Sequence, residues 1–235
     1  MFRAKTTNSA LASGDYVYWQ FVMTGQWDAD DSVMYLLSND GQVQGGVPQR
    51  GFGGLFSGCT SLTKAPDLPA TIVGGAGYVD MFSGCTGLVL PPKLPATTLG
   101  SNAYREMFKG CTSLTTAPEL PATTVPSYVY REMFYGCTSL VNVPSELPAT
   151  TYSDGHNTLP YYGMFENCSS LVKAPKLRCI DYGPDMYMFY NCSSLNEVWL
   201  DWEGTFVSNQ YYWASNVASS GTLHYNGPTT SHSDY

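Results

Sequence analysis

The sequence has few charged residues and no cluster of basic ones. Asp, Glu, Lys and Arg make up 13% of its 235 residues, and 11 basic against 19 acidic side chains give a net charge of −8. Nucleic acid is therefore not an expected partner, because its binding needs grouped lysines and arginines. The longest apolar run, residues 16–23, is far shorter than the roughly 20 residues that span a membrane, so we expect no membrane insertion.

Motifs for catalysis and metal binding are also missing. No CxxC or HxxxH pair occurs, and the glycine-rich residues 51–54 are not followed by the Lys-Ser/Thr of a phosphate-binding loop. The acidic residues Asp28, Asp30 and Asp31 lack the glycine and distal glutamate of a calcium loop, which favours an exposed acidic turn over a calcium site. We expect a protein that is not an enzyme and that has no catalytic residue, metal or cofactor.

The seven cysteines, in contrast, are numerous and regularly spaced. Six of them stand in one phrase, most often close to MFxGCTSL, at residues 55–62, 81–88, 107–114, 133–140, 164–171 and 188–195. Cysteines at fixed spacing can form disulfides, but a period near 26 residues is typical of repeat proteins whose units stack. We expect a row of small, reduced cysteines at one inward corner, with Cys179 outside the row at a turn.

Other apolar positions repeat together with the cysteine. An aromatic residue precedes the phrase in five units, as Phe52, Tyr78, Tyr104, Tyr130 and Tyr161. Another apolar residue recurs further on, as Val73, Leu99 and Val125, with Tyr152 as a shifted equivalent. Proline and glycine interrupt every unit, which excludes long helices and keeps strands short. The predicted fold is a repeat solenoid of about six short-strand coils, each of about 26 residues and packed on its neighbours.

The repeated phrase resembles the BspA-like leucine-rich repeats of bacterial surface proteins. It is most similar to the gut-Bacteroides variant that reads MFxGCTSLTxAPELPATTL, and the resemblance covers about residues 52–200. It implies a leucine-rich-repeat solenoid used for adhesion or protein binding at a cell surface, without catalysis. The same repeats are also similar to those of proteins carried by bacteriophages that infect such bacteria.

The chain divides into three regions on this interpretation. Residues 1–50 are predicted to form an N-terminal β cap with a hairpin turn at residues 39–41, and residues 51–200 the solenoid. Residues 201–235 are predicted to form a C-terminal cap and a mobile tail, because the repeat is abandoned from Trp199 onward. Aromatic residues concentrate there, at Trp199, Trp202, Phe206, Tyr211, Tyr212, Trp213 and Tyr225. They either plug the last coil, which we favour, or stack on sugars and fill pockets of a partner.

An insertion interrupts the regular spacing between Cys137 and Cys168. Five residues are added there, within residues 144–147 and 152–158. Insertions in solenoids emerge as loops on one face, which is often the binding face, although a surface loop also tolerates added length at little cost. Both interpretations stay open.

Residues five and eight positions after each cysteine, or nine in the fourth unit because of its added residue, vary between units. The apolar positions of the repeat, called stations below, stay the same. The varying residues are the candidate ligand-binding residues: Lys64, Asp67, Lys93, Thr116, Glu119, Asn142, Glu146, Lys173 and Lys176, with Leu90 in the same series. Their mixed charge argues against a polyanionic ligand and suits a protein or a neutral glycan. An ordinary solvated face is the alternative.

These observations lead to two hypotheses about function. The first is a recognition or adhesion solenoid that binds a protein or glycan at a bacterial or host surface, in an extracellular or cell-surface location. The second is a virion component of a phage, such as a capsid decoration or a tail receptor-binding protein that contacts other virion proteins. The second is suggested by the low charge and by the lack of an apolar signal segment after Met1.

Overall fold

The computed structural model describes residues 27–28, 33–36, 46–153, 159–178, 185–201 and 212–225. Within these residues there are ten short strands, one 3-10 helix at Val33–Leu36, and no α-helix. No helix in the described part of the chain is long and apolar enough to cross a membrane. The strands are β1 Trp27–Asp28, β2 Leu62–Lys64, β3 Ile72–Val73, β4 Thr98–Leu99, β5 Thr124–Val125, β6 Glu146–Leu147, β7 Thr151–Tyr152, β8 Lys176–Leu177, β9 Glu197–Leu200 and β10 Thr222–Tyr225.

All strand pairs in the described part of the chain are parallel, and those between repeating units join equivalent positions of neighbouring units. Val73 pairs with Leu99 between β3 and β4, and Leu147 pairs with Leu177 between β6 and β8. Val125 pairs with Tyr152 between β5 and β7, which confirms Tyr152 as the shifted equivalent of that station. This arrangement of stacked parallel units is compatible with the predicted repeat solenoid.

The residues before each cysteine form a series of tight turns that bond to the next unit. In the third unit, the Phe108 N–H donates to the Met133 carbonyl oxygen of the fourth unit at 2.9 Å. The Cys111 N–H instead donates to the Phe108 carbonyl oxygen within the third unit at 3.0 Å. Because successive amides alternate between these two kinds of acceptor, the buried N–H and C=O groups of this turn segment are hydrogen-bonded without a regular strand.

Every fourth residue of the turn segment has a positive φ. The residue just before the cysteine is one of them, and it is a glycine in the first four units, for example Gly110 with a φ of 71°. The same station is Asn167 and Asn191 in the next two units, with φ of 63° and 60°. Glycine and asparagine adopt this left-handed conformation at the lowest cost, which explains the Gly-Cys and Asn-Cys pairs of the sequence.

Two ladders of stacked aromatic rings fill the core of the stack. The first follows the phenylalanine of the repeated phrase, with ring centroids 5.5 to 5.6 Å apart along Phe56, Phe82, Phe108, Phe134, Phe165 and Phe189. The second follows the predicted aromatic station, with spacings of 5.6 to 6.0 Å along Phe52, Tyr78, Tyr104, Tyr130 and Tyr161. Both stations are inward-facing, as the repeat predicts.

The six cysteines of the phrase form a buried row of free thiols. From the second unit onward, each thiol donates a hydrogen bond to the phenylalanine carbonyl oxygen of the preceding unit, as from Cys111 Sγ to Phe82 at 3.1 Å. The equivalent bonds of Cys85, Cys137, Cys168 and Cys192 measure 3.0 to 3.1 Å. Burial raises the pKa of these thiols. Cys179 lies outside the described residues.

Residues 212–225 add a seventh unit that the sequence analysis did not identify. The Phe189 N–H donates to the Trp213 carbonyl oxygen, and β10 pairs with β9 over four residues. Trp213 is buried and packs edge-on against Phe189, so it covers the end of the phenylalanine ladder. The repeat therefore continues beyond Trp199, with Trp213 in the place of the phrase's methionine and Val217 in the place of its cysteine.

The N-terminal residues that the structure describes pack on the first unit. β1 pairs with β2, Val47 bridges Val73, and the Val33 N–H donates to the Asp67 carbonyl oxygen at 3.3 Å. The predicted hairpin turn at residues 39–41 lies outside the described residues, as do Asp30 and Asp31.

Candidate binding surface

The predicted residues five positions after each cysteine lie in one outward row. Parallel bridges join Lys64 to Leu90, Thr116 to Asn142, and Lys173 to Glu197. The row is outward because side chains alternate along an extended chain, and residues directly after members of the row are buried, as Ala65 is after Lys64 and Ala174 after Lys173. Thr222 of the seventh unit extends the row beyond Glu197.

The predicted residues eight positions after the cysteine divide into two groups. Asp67, Lys93 and Glu119 are exposed in the first three units, at positions that lie outside the strands of those units. Glu146 and Lys176 are paired between β6 and β8. They begin a second outward row, which continues into β9 and β10.

Trp199 joins this second row next to Lys176. Leu177 pairs with Leu200, which places the residues before them, Lys176 and Trp199, side by side on the outward face. Trp199 pairs in turn with His224 of β10, and their rings stack in parallel with centroids 3.5 Å apart. An exposed tryptophan thus lies within the surface predicted from charged and polar residues.

A groove of about 430 Å³ lies where the two rows approach each other. It brings three predicted residues, Asn142, Lys173 and Lys176, together with Trp199, and its other lining residues are Val141, Val143, Pro144, Ser145 and Ala174. The predicted residues Lys64, Asp67, Lys93, Thr116, Glu119 and Glu146 do not line it. A larger cavity of about 500 Å³, under the seventh unit, has walls of core stations such as Leu195 and Val198 and is the end of the core.

Every lysine and arginine around the groove is paired with a carboxylate. Lys173 contacts Glu197 at 3.0 Å and Lys176 contacts Asp201 at 3.0 Å. Arg178 contacts Glu146 at 3.1 Å. Hydrogen bonds from the Trp199 indole N–H, at 2.7 Å, and from Lys173 lower the pKa of the Glu197 carboxyl group.

The turn segments carry a separate network of charges and tyrosines. Lys109 bridges Glu106 at 3.0 Å and Glu132 at 2.7 Å, and so links the third and fourth units. Arg131 lies over the rings of Tyr128 and Tyr162, at 5.6 and 4.9 Å from their centroids. The Lys109–Glu132 ion pair and the contact of Arg131 with Tyr162 each join one unit to the next, so this network stabilises the stacking. Among the described residues, no group of three potential metal ligands is assembled.

Sequence reasoning grouped Trp199 with the C-terminal aromatic residues, for which it favoured a plug of the last coil over sugar stacking, and it did not place Trp199 in the outward rows because it missed the seventh unit. The signal was weak, since alanine and valine replace the phenylalanine and cysteine of the phrase at Ala214 and Val217. It was still present, because Asn216 follows Asn191 by 25 residues. The Asn216 amide donates to the Asn191 side chain at 2.8 Å, which continues a ladder from Asn167.

Comparison with protein-family models, with curated proteins and with solved structures found no match. The resemblance to a family therefore rests on the repeated phrase, and the interpretation of the surface rests on its geometry.

Proposed function

We propose that this protein is a non-enzymatic recognition solenoid of the BspA-like leucine-rich-repeat type, which binds a protein or glycan at a bacterial or host surface. One observation carries the proposal. The residues that vary between units lie on the outward face, several of them paired from one unit to the next, whereas the stations that repeat are buried. Repeat proteins bind through such surfaces, since stacking presents one side chain per unit at a regular spacing.

The leucine station supports the assignment to this type of repeat. The leucine three residues after each cysteine is at most 1% exposed in all six units that carry the phrase, at Leu62, Leu88, Leu114, Leu140, Leu171 and Leu195. Together with the phenylalanine and cysteine rows, it gives each unit the same inward corner. The observed burial is compatible with the repeat class that the resemblance of the phrase suggests.

Charge reversal tests the assignment of the surface. We expect the triple variant Asp67→Lys, Glu119→Lys and Lys173→Glu to weaken binding to a ligand, captured from host or bacterial surface extracts, by about tenfold or more. A matched control places lysines at Thr71, Thr97 and Thr123, which are exposed between the two outward rows and the next turn segment. If the triple charge-reversal variant binds as strongly as the lysine control and the parent chain, the rows are a solvated face only.

A second candidate function is a component of a phage particle. It is favoured by the similarity of the same repeat phrase to repeats in phage-borne proteins. Mass spectrometry of purified particles tests it directly, because a virion component is present in stoichiometric amounts. Recovery of the chain only from the surface fraction of the bacterial cell would favour the first candidate.

A further inference from the structure

The ring of Trp199 is hydrogen-bonded through its indole N–H and stacked on one face, and among the described residues its other face is covered only by the distant Lys173 ammonium group. Its indole N–H donates to Glu197 Oε1 at 2.7 Å, and the His224 ring covers one face at 3.5 Å. Lys173 Nζ lies 6.0 Å from the ring centroid. Because His224 belongs to the seventh unit and Lys173 to the fifth, with Trp199 between them, they lie over opposite faces. The face toward Lys173 is the one that opens into the groove.

The groove below this face combines an apolar floor with a polar rim. Val143, Pro144 and Ala174 form the floor, and Asn142 and the two lysines stand at the rim. Its volume of about 430 Å³ lies within the range of small-molecule sites. One or two sugar rings would fill such a space.

The charges around the groove cancel. Three cations are paired with three carboxylates, as Lys173 with Glu197, Lys176 with Asp201 and Arg178 with Glu146. A polyanion or a polycation therefore gains no net attraction from this patch. Each ammonium group has three donors and each carboxylate several acceptor sites, so the pairs retain hydrogen-bonding capacity for the hydroxyl groups of a neutral ligand.

An extended peptide finds no free strand edge in the groove. β9, which carries Trp199, is paired on both sides, with β8 and with β10, so a peptide cannot be added along β9 as a further strand. An indole ring instead presents a face of negative potential, which attracts the weakly positive C–H groups on the face of a sugar ring.

We propose that this groove binds a neutral saccharide, with one sugar ring stacked on the open face of Trp199 and its hydroxyl groups bonded to Asn142, Lys173 and Lys176. The proposal rests on the proposed recognition function and names the ligand class and the subsite. The site lies at the fourth to seventh units rather than along the whole of the outward rows.

The test uses the full chain on an array of neutral and anionic oligosaccharides, followed by calorimetry with the strongest neutral binder. We expect neutral binders only. Trp199→Ala should weaken binding by about tenfold or more, and Trp199→Phe, which keeps an aromatic face, by about threefold or less. Asn142→Ala should weaken it by about three- to tenfold. Tyr212→Ala is the matched control, since this tyrosine is 54% exposed on a turn segment, and it should bind as the parent does.

Thermal unfolding of each variant checks the fold. If Trp199→Ala does not fold, the comparison of Trp199→Phe with Lys173→Met decides instead. Lys173→Met removes a hydrogen-bond donor to the sugar, whereas Trp199→Phe keeps an aromatic face, so the loss of saccharide affinity must be larger in Lys173→Met. The proposal is overturned by anionic binders only, by no saccharide binding at millimolar concentrations, or by saccharide binding that Trp199→Ala and Asn142→Ala leave unchanged. A protein ligand whose binding is lost in the triple charge-reversal variant but kept in Trp199→Ala would overturn the saccharide site and preserve the recognition function.

Discussion

At the scale of single residues, the backbone conformation before each cysteine decides which side chains are tolerated. Gly110 has a φ of 71°, and a Cβ atom at this position would approach nothing closer than Gly84 Cα at 3.9 Å. Space therefore does not limit substitution here, and the cost comes from the left-handed conformation. The chain itself uses asparagine at the same station in three later units, at Asn167, Asn191 and Asn216.

We expect Gly110→Ala to lower the free energy of unfolding by about 1 kcal/mol, and Gly110→Asn to lower it by less than half as much. Asparagine tolerates a positive φ because its side chain hydrogen-bonds locally. Urea unfolding of the two variants and the parent measures the difference. Equal losses would show that the station demands the absence of a side chain rather than a conformation.

Asp185 makes stability depend on pH. It stands where other units have an aromatic residue, and its carboxylate accepts a hydrogen bond from the Tyr161 N–H at 2.6 Å. Burial raises the pKa of Asp185 to about 7, and burial together with the charge of Glu106 raises the pKa of Asp80 to about 6. The folded state therefore binds protons more tightly than the unfolded chain at these two groups.

Their contribution to stability falls as the pH rises from about 4 through about 7, and is constant above that range. The lowered pKa of Glu106 acts in the opposite direction, but only at pH values below the ordinary pKa of a glutamate. We expect thermal unfolding between pH 5 and pH 8 to show a decline in the parent that is smaller in Asp185→Asn, which keeps an acceptor for Tyr161. Parallel pH profiles in the two proteins would contradict this assignment, and Asp80→Asn provides the second comparison.

At the scale of the repeating element, the aromatic ladders hold the units together. Phe108 is fully buried and stacks on Phe82 and Phe134, with interplanar angles of 6° and 3°. The backbone of the same residue also bonds twice to the fourth unit, because its N–H donates to the Met133 carbonyl oxygen and its carbonyl oxygen accepts from Cys137 Sγ, which ties the ring position to the turn segment.

Phe108→Ala should lower the free energy of unfolding by about 3 to 5 kcal/mol, because the central units cannot close the cavity that it leaves. The control is Val141→Ala, at a position 49% exposed on the outward face, for which we expect a change within about 0.5 kcal/mol. Denaturant unfolding measures both. A Phe108→Ala chain that unfolds like the parent would contradict the inward assignment of the phrase.

The repeat predicted the inward stations well, because burial depends on the type of residue and its position in the period. It did not predict the alternating turn segment. Tyr128, Glu106 and Glu132 have positive φ although neither residue type favours it. Hydrogen bonds to the next unit impose this conformation, and such bonds cannot be deduced from one unit alone.

At the scale of the whole molecule, the stack is a chain of nearest-neighbour contacts, so its ends determine how well the units between them are protected. The seventh unit covers Phe189 with Trp213 and pairs the outer edge of β9 with β10. Without it, the sixth unit presents an apolar surface and an unpaired strand edge to water.

A chain that ends at Asp201 should therefore unfold about 5 to 10 °C below the parent and bind a hydrophobic dye. The matched control ends at Tyr225 and keeps the whole seventh unit, so we expect its melting temperature to stay within about 2 °C of the parent's. Scanning calorimetry of the three chains checks this. If the shorter chain melts with the parent, the seventh unit does not protect the stack.

The recognition function, the saccharide subsite and the choice between cell surface and phage particle remain predictions at this scale. What the whole molecule adds is the convergence of residues that the sequence keeps apart. Asn142, Lys173, Trp199 and His224 come from four units, and they form one surface because the units stack in parallel register.

The amino-acid sequence by itself determined the period, the inward stations and the residues free to vary outward. It could do so because apolar side chains recur wherever each unit must bury its face against the next. Only the tertiary structure decided which outward residues meet. In this stack, the nearest outward neighbours of a side chain lie about one period away along the chain. A unit that has lost its cysteine, as the seventh has at Val217, is therefore not recognised from the sequence, and neither is His224, the partner of Trp199.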